Sequence, residues 1–317
     1  VSSRQDMVTG GDALLLVDVR DHDLEHVSVT VNGSDVTAMF RETFDGQIVG
    51  LVTGLEYGVN DVVVSVNADS SGQALRLVNH SVAGPVFSGP HEQPFICETE
   101  TFELVSGETL GDSLDQNCSI VRRVDYAYRS QDDDELKSLP NPGQLPENIA
   151  TVTTLAGHEV PYVVRIETGT INRAVYQIAM LHTPGSDGLR PSPWMRSPGW
   201  NGRLIYTFGG GCVNGWYRQG NSTGGVTDDV MLRQGYAVAS SSLNVYGTNC
   251  NDVLAAETMM MVKERFIEAY GVPRYTIGWG CSGGSYQNHQ IADNYPGLLD
   301  GIIPGCSFPD VGFGTIP

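Results

Sequence analysis

The segment that most limits what this chain can fold into runs from Tyr275 to Asn294. Tyr275-Thr276-Ile277 reads as a short strand that enters Gly280-Cys281-Ser282-Gly283-Gly284, and Gly283 to about Asn294 reads as a helix. A serine on so tight a strand-to-helix turn takes a strained backbone and needs small neighbours, which Gly280, Gly283 and Gly284 supply. The turn lifts the Ser282 hydroxyl above the sheet and aims the following backbone N–H groups at the same point. The bare G-x-S-x-G pattern is weak in a chain with 38 glycines; the strand before it and the helix after it give it weight. Ser282 is thus the candidate nucleophile, against the plainer reading of a glycine-rich turn with an incidental serine. Ser285 would sit within the first helical turn and is the poorer candidate.

The elements around this turn are those of an α/β sheet with crossover helices. Tyr162–Glu167 and Ala174–Leu181 are expected to form an antiparallel hairpin around Gly169. Arg203–Phe208 is a strand leading into Gly209-Gly210-Gly211, Thr227–Gln234 a short helix and Tyr236–Ser240 a buried strand. Asp252–Tyr270 is a long helix stopped by Gly271 and Pro273, followed by strands Arg274–Gly278 and Gly301–Ile303. Residues 1–90 differ, with short Val- and Leu-rich runs at Ala13–Val19, Val27–Val31, Ile48–Val52, Val62–Val66 and Leu75–Val78. Turn signals such as Asn32-Gly33 separate them. This pattern predicts a small β-sandwich resembling the immunoglobulin-like modules of extracellular enzymes. Residues 91–160, rich in proline and carrying the acidic run Asp132–Glu135, read as a loop-rich connector. Residues 161–317 read as the N-terminal part of an α/β-hydrolase domain, a sheet still incomplete in this chain.

In that fold the developing oxyanion needs two donors. Gly283 N–H follows the nucleophile and opens a helix. The second is expected from Gly209-Gly210-Gly211-Cys212, which resembles the HGGG-type loop of esterases, with Gly211 and Cys212 as candidates. The activating pair is harder to find. Acid and histidine follow the serine in α/β-hydrolases, yet of the seven histidines only His289 follows Ser282, two helical turns beyond it. Asp310, after the next strand, is the acid candidate within the chain. The expectation is that the histidine and the working acid come from sequence beyond Pro317 or from a second chain of the same precursor. A truncated inactive chain is the competing reading.

Composition narrows the partners. A net charge of −19 disfavours nucleic acid and anionic lipid, and no apolar run reaches the ~18 residues a membrane span needs. The six cysteines, Cys97, Cys118, Cys212, Cys250, Cys281 and Cys306, form no C-x-x-C pair and no metal-ligand spacing with histidine. Neither metal nor cofactor is expected. Cysteines scattered through loop-rich sequence point to disulfides and a secreted protein, extracellular or periplasmic, against free thiols in a cytosolic enzyme. A Cys97–Cys118 bond would staple the connector. Asn-x-Ser/Thr sites lie at Asn32, Asn79, Asn117 and Asn221.

The run Gly280–Gln287, then Asn294-Tyr295-Pro296 and Leu299–Gly305, resembles the tannase/feruloyl esterase family, as do the Gly209–Gly211 loop and Arg233–Ser240. The likeness covers roughly residues 200–306 and weakens at Ser242-Leu243-Asn244, where the family carries an acidic residue. It implies a carboxylic ester hydrolase that forms an acyl-enzyme on Ser282. The substrate would be a phenolic ester, a polyester or another bulky ester. The same elbow serves amidases and peptidases, and an inactive binding protein on the same scaffold is the remaining alternative. The resemblance also implies a disulfide from Cys281 to a cysteine directly after the catalytic histidine; otherwise Cys281 is simply a small residue at a crowded turn. Under the first reading Cys281, and with it Cys306, would tether the partner polypeptide. Trp216, Tyr217 and Tyr246 are candidates to line an acyl pocket, or simple packing residues.

Overall fold

A computed structural model describes residues 1–18, 26–42, 47–67, 72–182, 191–212 and 218–307. Eight short strands come first: β1 (Val8–Thr9), β2 (Asp12–Val17), β3 (Val27–Val31), β4 (Ser34–Asp35), β5 (Phe40–Glu42), β6 (Ile48–Thr53), β7 (Gly58–Val66) and β8 (Gln73–His80). They form one sheet in the order β1-β8-β7-β3-β4 and a second in the order β2-β6-β5. Alternation decides which side chains meet between them. Val27, Val29 and Val31 are buried while Ser28 is exposed, and these valines share a core with Val62, Leu77, Ala13, Leu15, Val52 and Phe40. The Asn32-Gly33 turn forms as expected, with φ of 50° and 79°, values that suit a two-residue hairpin.

The opposite face of the three-stranded sheet is also apolar. Leu14 is buried, and Val49 and Leu51 pack against the core of the following α/β part, beside Tyr176, Met260 and Phe266. That part is built on one eight-stranded sheet, in the order β10-β9-β13-β14-β16-β15-β17-β18. Its strands are β9 (Arg123–Arg129), β10 (Leu136–Ser138), β13 (Val163–Ile171), β14 (Ala174–Leu181), β15 (Arg203–Phe208), β16 (Ala237–Ser241), β17 (Tyr275–Cys281) and β18 (Gly301–Gly305). The pair β11 (Thr151–Thr153) and β12 (Glu159–Pro161) stands apart. Strands β16, β15, β17 and β18 run parallel; β14, β13, β9 and β10 are added antiparallel.

Two sequence expectations need correction. The stretch read as irregular contributes β9 and β10 to the main sheet and carries β11 and β12, because short strands interrupted by charges and prolines leave little periodic signal. The β13–β14 hairpin turns at Asn172-Arg173, with φ of 53° and 64°, rather than at Gly169. Gly169 lies inside β13 opposite Tyr176, and a Cβ there would fall 2.7 Å from the Tyr176 ring. The glycine makes room for the aromatic side chain.

Helix α1 (Asp229–Leu232) is capped by Asp228, whose side chain accepts from Met231 N at 3.0 Å. Helix α2 (Asp252–Tyr270) starts at Asn251, which accepts from Leu254 N, and stops at Gly271 with φ 95°. Its Met259, Phe266, Ile267 and Tyr270 pack on Tyr176, Ile178, Tyr206 and Phe208, while Met231 and Leu232 of α1 cover the other face with Tyr162, Ile166 and Val238. Helix α3 (Gly283–Asn294) lies beside α2 along β17 and β18. On the face opposite α3, Tyr275 and Trp279 of β17 and Ile303 of β18 are exposed.

Candidate active site

Ser282 stands between the end of β17 and the start of α3 with φ 58° and ψ −121°, a conformation costly for any residue with a Cβ. Close packing holds it there. A Cβ on Gly280 would lie 2.8 Å from the Phe208 carbonyl oxygen, one on Gly284 would lie 2.4 Å from the same oxygen, and one on Gly283 would lie 1.9 Å from the Gly211 oxygen. Ser282 N donates to the Gly305 carbonyl at 3.1 Å, and the Ser282 carbonyl accepts the first helical bond from Tyr286 N. The Ser282 side chain makes no capping bond to α3 and is exposed, so its hydroxyl is open to a substrate. Ser285, by contrast, is buried and donates to Ser307 Oγ at 3.1 Å.

The Gly209–Gly211 loop leaves β15 beside this turn. Gly209 N donates to the Asn244 carbonyl at 2.9 Å, Tyr246 N to Gly209 O at 3.3 Å and Gly247 N to Gly210 O at 2.7 Å. Gly210 lies against the serine: a Cβ there would be 3.6 Å from Ser282 Cβ and 3.8 Å from Gly283 N. Gly211, with φ 92°, lies against Gly247 and Gly283. Cys212 is exposed and bonded to Cys250, which ties the loop to the chain entering α2. The arrangement brings Gly210 and the N-terminus of α3 beside Ser282; backbone N–H groups at a helix start are the kind of donor that an oxyanion needs. Reading glycines along the chain points to Gly211 and Cys212; the proximity of Gly210 depends on how the loop lies across the turn.

Beneath the loop is a buried polar network. Gln287 donates from Nε2 to Gly209 O at 3.0 Å and to Asn244 O at 3.1 Å. Asn244 Oδ1 accepts from Tyr206 OH at 2.7 Å and Ser241 Oγ at 3.0 Å, and Asn244 Nδ2 donates to Ala255 O at 2.9 Å. Beside it, Tyr246 and Tyr286 both donate to the Asp252 carboxylate, Tyr286 at 3.1 Å. Burial first, and then the Asp252 charge, pushes the Tyr286 hydroxyl up to about 12 and Tyr246 further up, so both stay protonated donors. Tyr246 is fully buried and packs rather than lining an acyl pocket; Trp216 and Tyr217 lie outside the described residues. Local patterning gives no warning of Gln287, Asn244 or Asp252, because a polar residue on a helix or turn ordinarily faces water.

The cysteines pair within the chain. Cys97–Cys118 forms as expected, but Cys281 bonds Cys306, which corrects the expectation that these two reach a second polypeptide. The pairing follows from register: Cys281 lies opposite Gly305 in the β17–β18 ladder, so Cys306 arrives beside it. Among the described residues no cysteine is free. His289 is exposed on α3 with Nε2 3.2 Å from Ser307 Oγ, and Asp310 lies outside the described residues. Among the described residues no cluster of three or more histidine, cysteine, aspartate or glutamate side chains could hold a metal ion.

Comparison with known proteins gives a relative and a family. A probable feruloyl esterase of Arthroderma benhamiae is 29% identical over 153 residues, a match that takes in 43% of this chain and 28% of the relative. Thus the chain spans less than a third of the length of the curated relative it matches. Over all of residues 1–317 the chain matches, and belongs to, the tannase-like family of unknown function (DUF6351).

Proposed function

We propose that this chain carries the nucleophile and the oxyanion donors of a secreted serine esterase of the α/β-hydrolase type. The observation that carries the reading is the strained Ser282 at the carboxyl end of β17, a parallel strand one place in from the sheet edge, with Gly209–Gly211 packed across it. The hydroxyl attacks the ester carbonyl. Negative charge then grows on the carbonyl oxygen, which faces Gly283 N–H at the positive end of α3 and the glycine-loop amides. Collapse of this intermediate expels the alcohol and leaves an acyl group on Ser282, which water removes. The family and the feruloyl esterase relative support a carboxylic ester, with an aromatic or other bulky acyl part, as the bond cleaved.

A serine hydroxyl needs a base, and the base needs an orienting acid. Our reading assigns both to a further stretch of polypeptide, from the same precursor or a second chain, with Asp310 as the acid candidate in this one. The exposed Trp279 and Ile303 of β17 and β18 favour such a covering segment. With all six cysteines paired among themselves, the association would be non-covalent or through the main chain. Three disulfides favour an oxidising compartment. The preceding two-sheet unit reads as an immunoglobulin-like module packed beside the enzyme.

A fluorophosphonate probe tests the reading on the full-length protein. Stoichiometric labelling that Ser282→Ala abolishes is the expected result. Labelling that survives the substitution, or none in the wild type, would remove Ser282 as the nucleophile. A panel of aryl esters, polyesters and anilides then separates an esterase from an amidase.

A further inference from the structure

We infer that Gln287 is a positioning residue for the oxyanion donors, a role that deepens the proposed serine-esterase reading and rests on it. Gln287 is on the second turn of α3, the helix that begins at the nucleophile, and its side chain is completely buried. Both of its N–H donors are used, one on the Gly209 carbonyl and one on the Asn244 carbonyl. Those carbonyls are themselves joined through the main chain, since Gly209 N donates to Asn244 O. The side chain therefore ties three pieces together: the nucleophile's helix, the first peptide of the glycine loop and the turn after β16.

Peptide geometry turns this tie into an aiming device. A trans peptide is planar, so its N–H points opposite to its C=O. Gly209 O receives Gln287 Nε2 at 3.0 Å and Tyr246 N at 3.3 Å, which occupies both carbonyl lone pairs and fixes the plane of the Gly209–Gly210 peptide. Its N–H belongs to Gly210, whose Cβ position lies 3.6 Å from Ser282 Cβ and 3.8 Å from Gly283 N, and is directed away from the core side where Gln287 lies. Glycines carry no side chains to hold their own orientation, so without the Gln287 bond this peptide keeps only the longer bond from Tyr246 N on its carbonyl and can tilt, taking its donor with it.

The test compares, in the full-length protein, an ester with its thiono analogue, in which sulfur replaces the carbonyl oxygen. Sulfur is larger and a weaker hydrogen-bond acceptor, so a well-aimed oxyanion site discriminates against it and a misaligned one does not. Gln287→Met keeps the bulk and loses both donors. The expected result is a fall in kcat of about ten- to a hundredfold, up to the loss seen on deleting one oxyanion donor. KM should change little, and the oxo/thiono ratio should drop towards one. Tyr176→Phe removes a buried hydrogen bond to Glu167 and should lower the melting temperature with the ratio unchanged. If Gln287→Met does not fold, Gln287→Glu serves: its carboxyl donates one bond when protonated and faces two carbonyl oxygens when charged. Its ratio should therefore collapse as pH rises while the wild-type ratio stays flat. A folded Gln287 variant that keeps the wild-type ratio at every pH overturns the positioning role. Activity retained in Ser282→Ala overturns the underlying reading instead.

Discussion

At the residue scale the site depends on atoms that are missing. Gly280, Gly283 and Gly284 face backbone atoms where a Cβ would need space, and backbone cannot move aside as the tip of a flexible side chain can. Gly284→Ala would bring a methyl to 2.4 Å from the Phe208 carbonyl oxygen and push α3 off the end of β15. We expect a loss of about 1–3 kcal/mol, the usual result of overpacking, together with slower fluorophosphonate labelling. Gly143→Ala is the control. The nearest atom to its Cβ is Asn141 Oδ1 at 3.5 Å, so denaturant titration should place it within about 0.5 kcal/mol of the wild type. The sequence displayed these glycines and Ser282 plainly. It did not display Gln287, whose function comes from being buried under a loop 78 residues away in the chain.

At the element scale the buried carboxylates on α2 and on the strand packed beneath it lie in two opposite environments. Glu264 and Glu268, one turn apart, are buried against the N-terminal strands, where Thr9 N donates to Glu264 at 3.1 Å. Burial, and for Glu268 the neighbouring Glu264, raises both above the ordinary value near 4.5. The native state then holds protons that the unfolded state has released, so these groups erode stability as pH climbs from about 4.5 through their raised values. Glu264→Gln should flatten that decline in denaturant titrations run between pH 5 and 8. Glu167 of β13 behaves in the opposite way. Burial opposes its charge, but Arg265 at 2.9 Å, Tyr270 at 2.6 Å and Arg165 outweigh it and lower the carboxyl to about 2. Its contribution is present above about pH 4.5 and fades as pH falls towards 2. At neutral pH Glu167→Gln leaves Arg265 without its charge partner and should cost about 3–5 kcal/mol, with the deficit shrinking in acid. That α2 is a helix could be read from its length and its stop at Gly271. That the buried carboxylates of α2 and β13 separate into two classes could not, because only the packed neighbours distinguish them.

At the scale of the whole molecule, a two-sheet β unit lies against a mixed sheet whose parallel strands end at the candidate site. Packing also sorts the four glycosylation motifs. Asn79 is buried, its amide donating to the Leu55 and Glu56 carbonyls and accepting from Gly11 N, and the Asn32 side chain bridges Asn60 and Asp61. Asn117 and Asn221 are exposed. In a glycosylating host, peptide mass spectrometry should find glycans on Asn117 and Asn221 and an unmodified Asn79; a glycan on Asn79 would require the Gly11–Leu55 region to open. The sequence by itself determined the strand–turn–helix around Ser282, the glycine loop, the long helix and its stop at Gly271, and the alternating strands of the first 80 residues. Each of these rests on neighbours within a few positions, where periodicity, glycine freedom and capping act. Only the tertiary structure decided that Cys281 meets Cys306, that Tyr246 is buried on Asp252, that residues 123–138 extend the main sheet, and that Gly210 lies against the serine while Gln287 bonds the Gly209 carbonyl. Those outcomes depend on which distant segments come to lie side by side, and strand register and helix packing set that without leaving a local pattern in the chain.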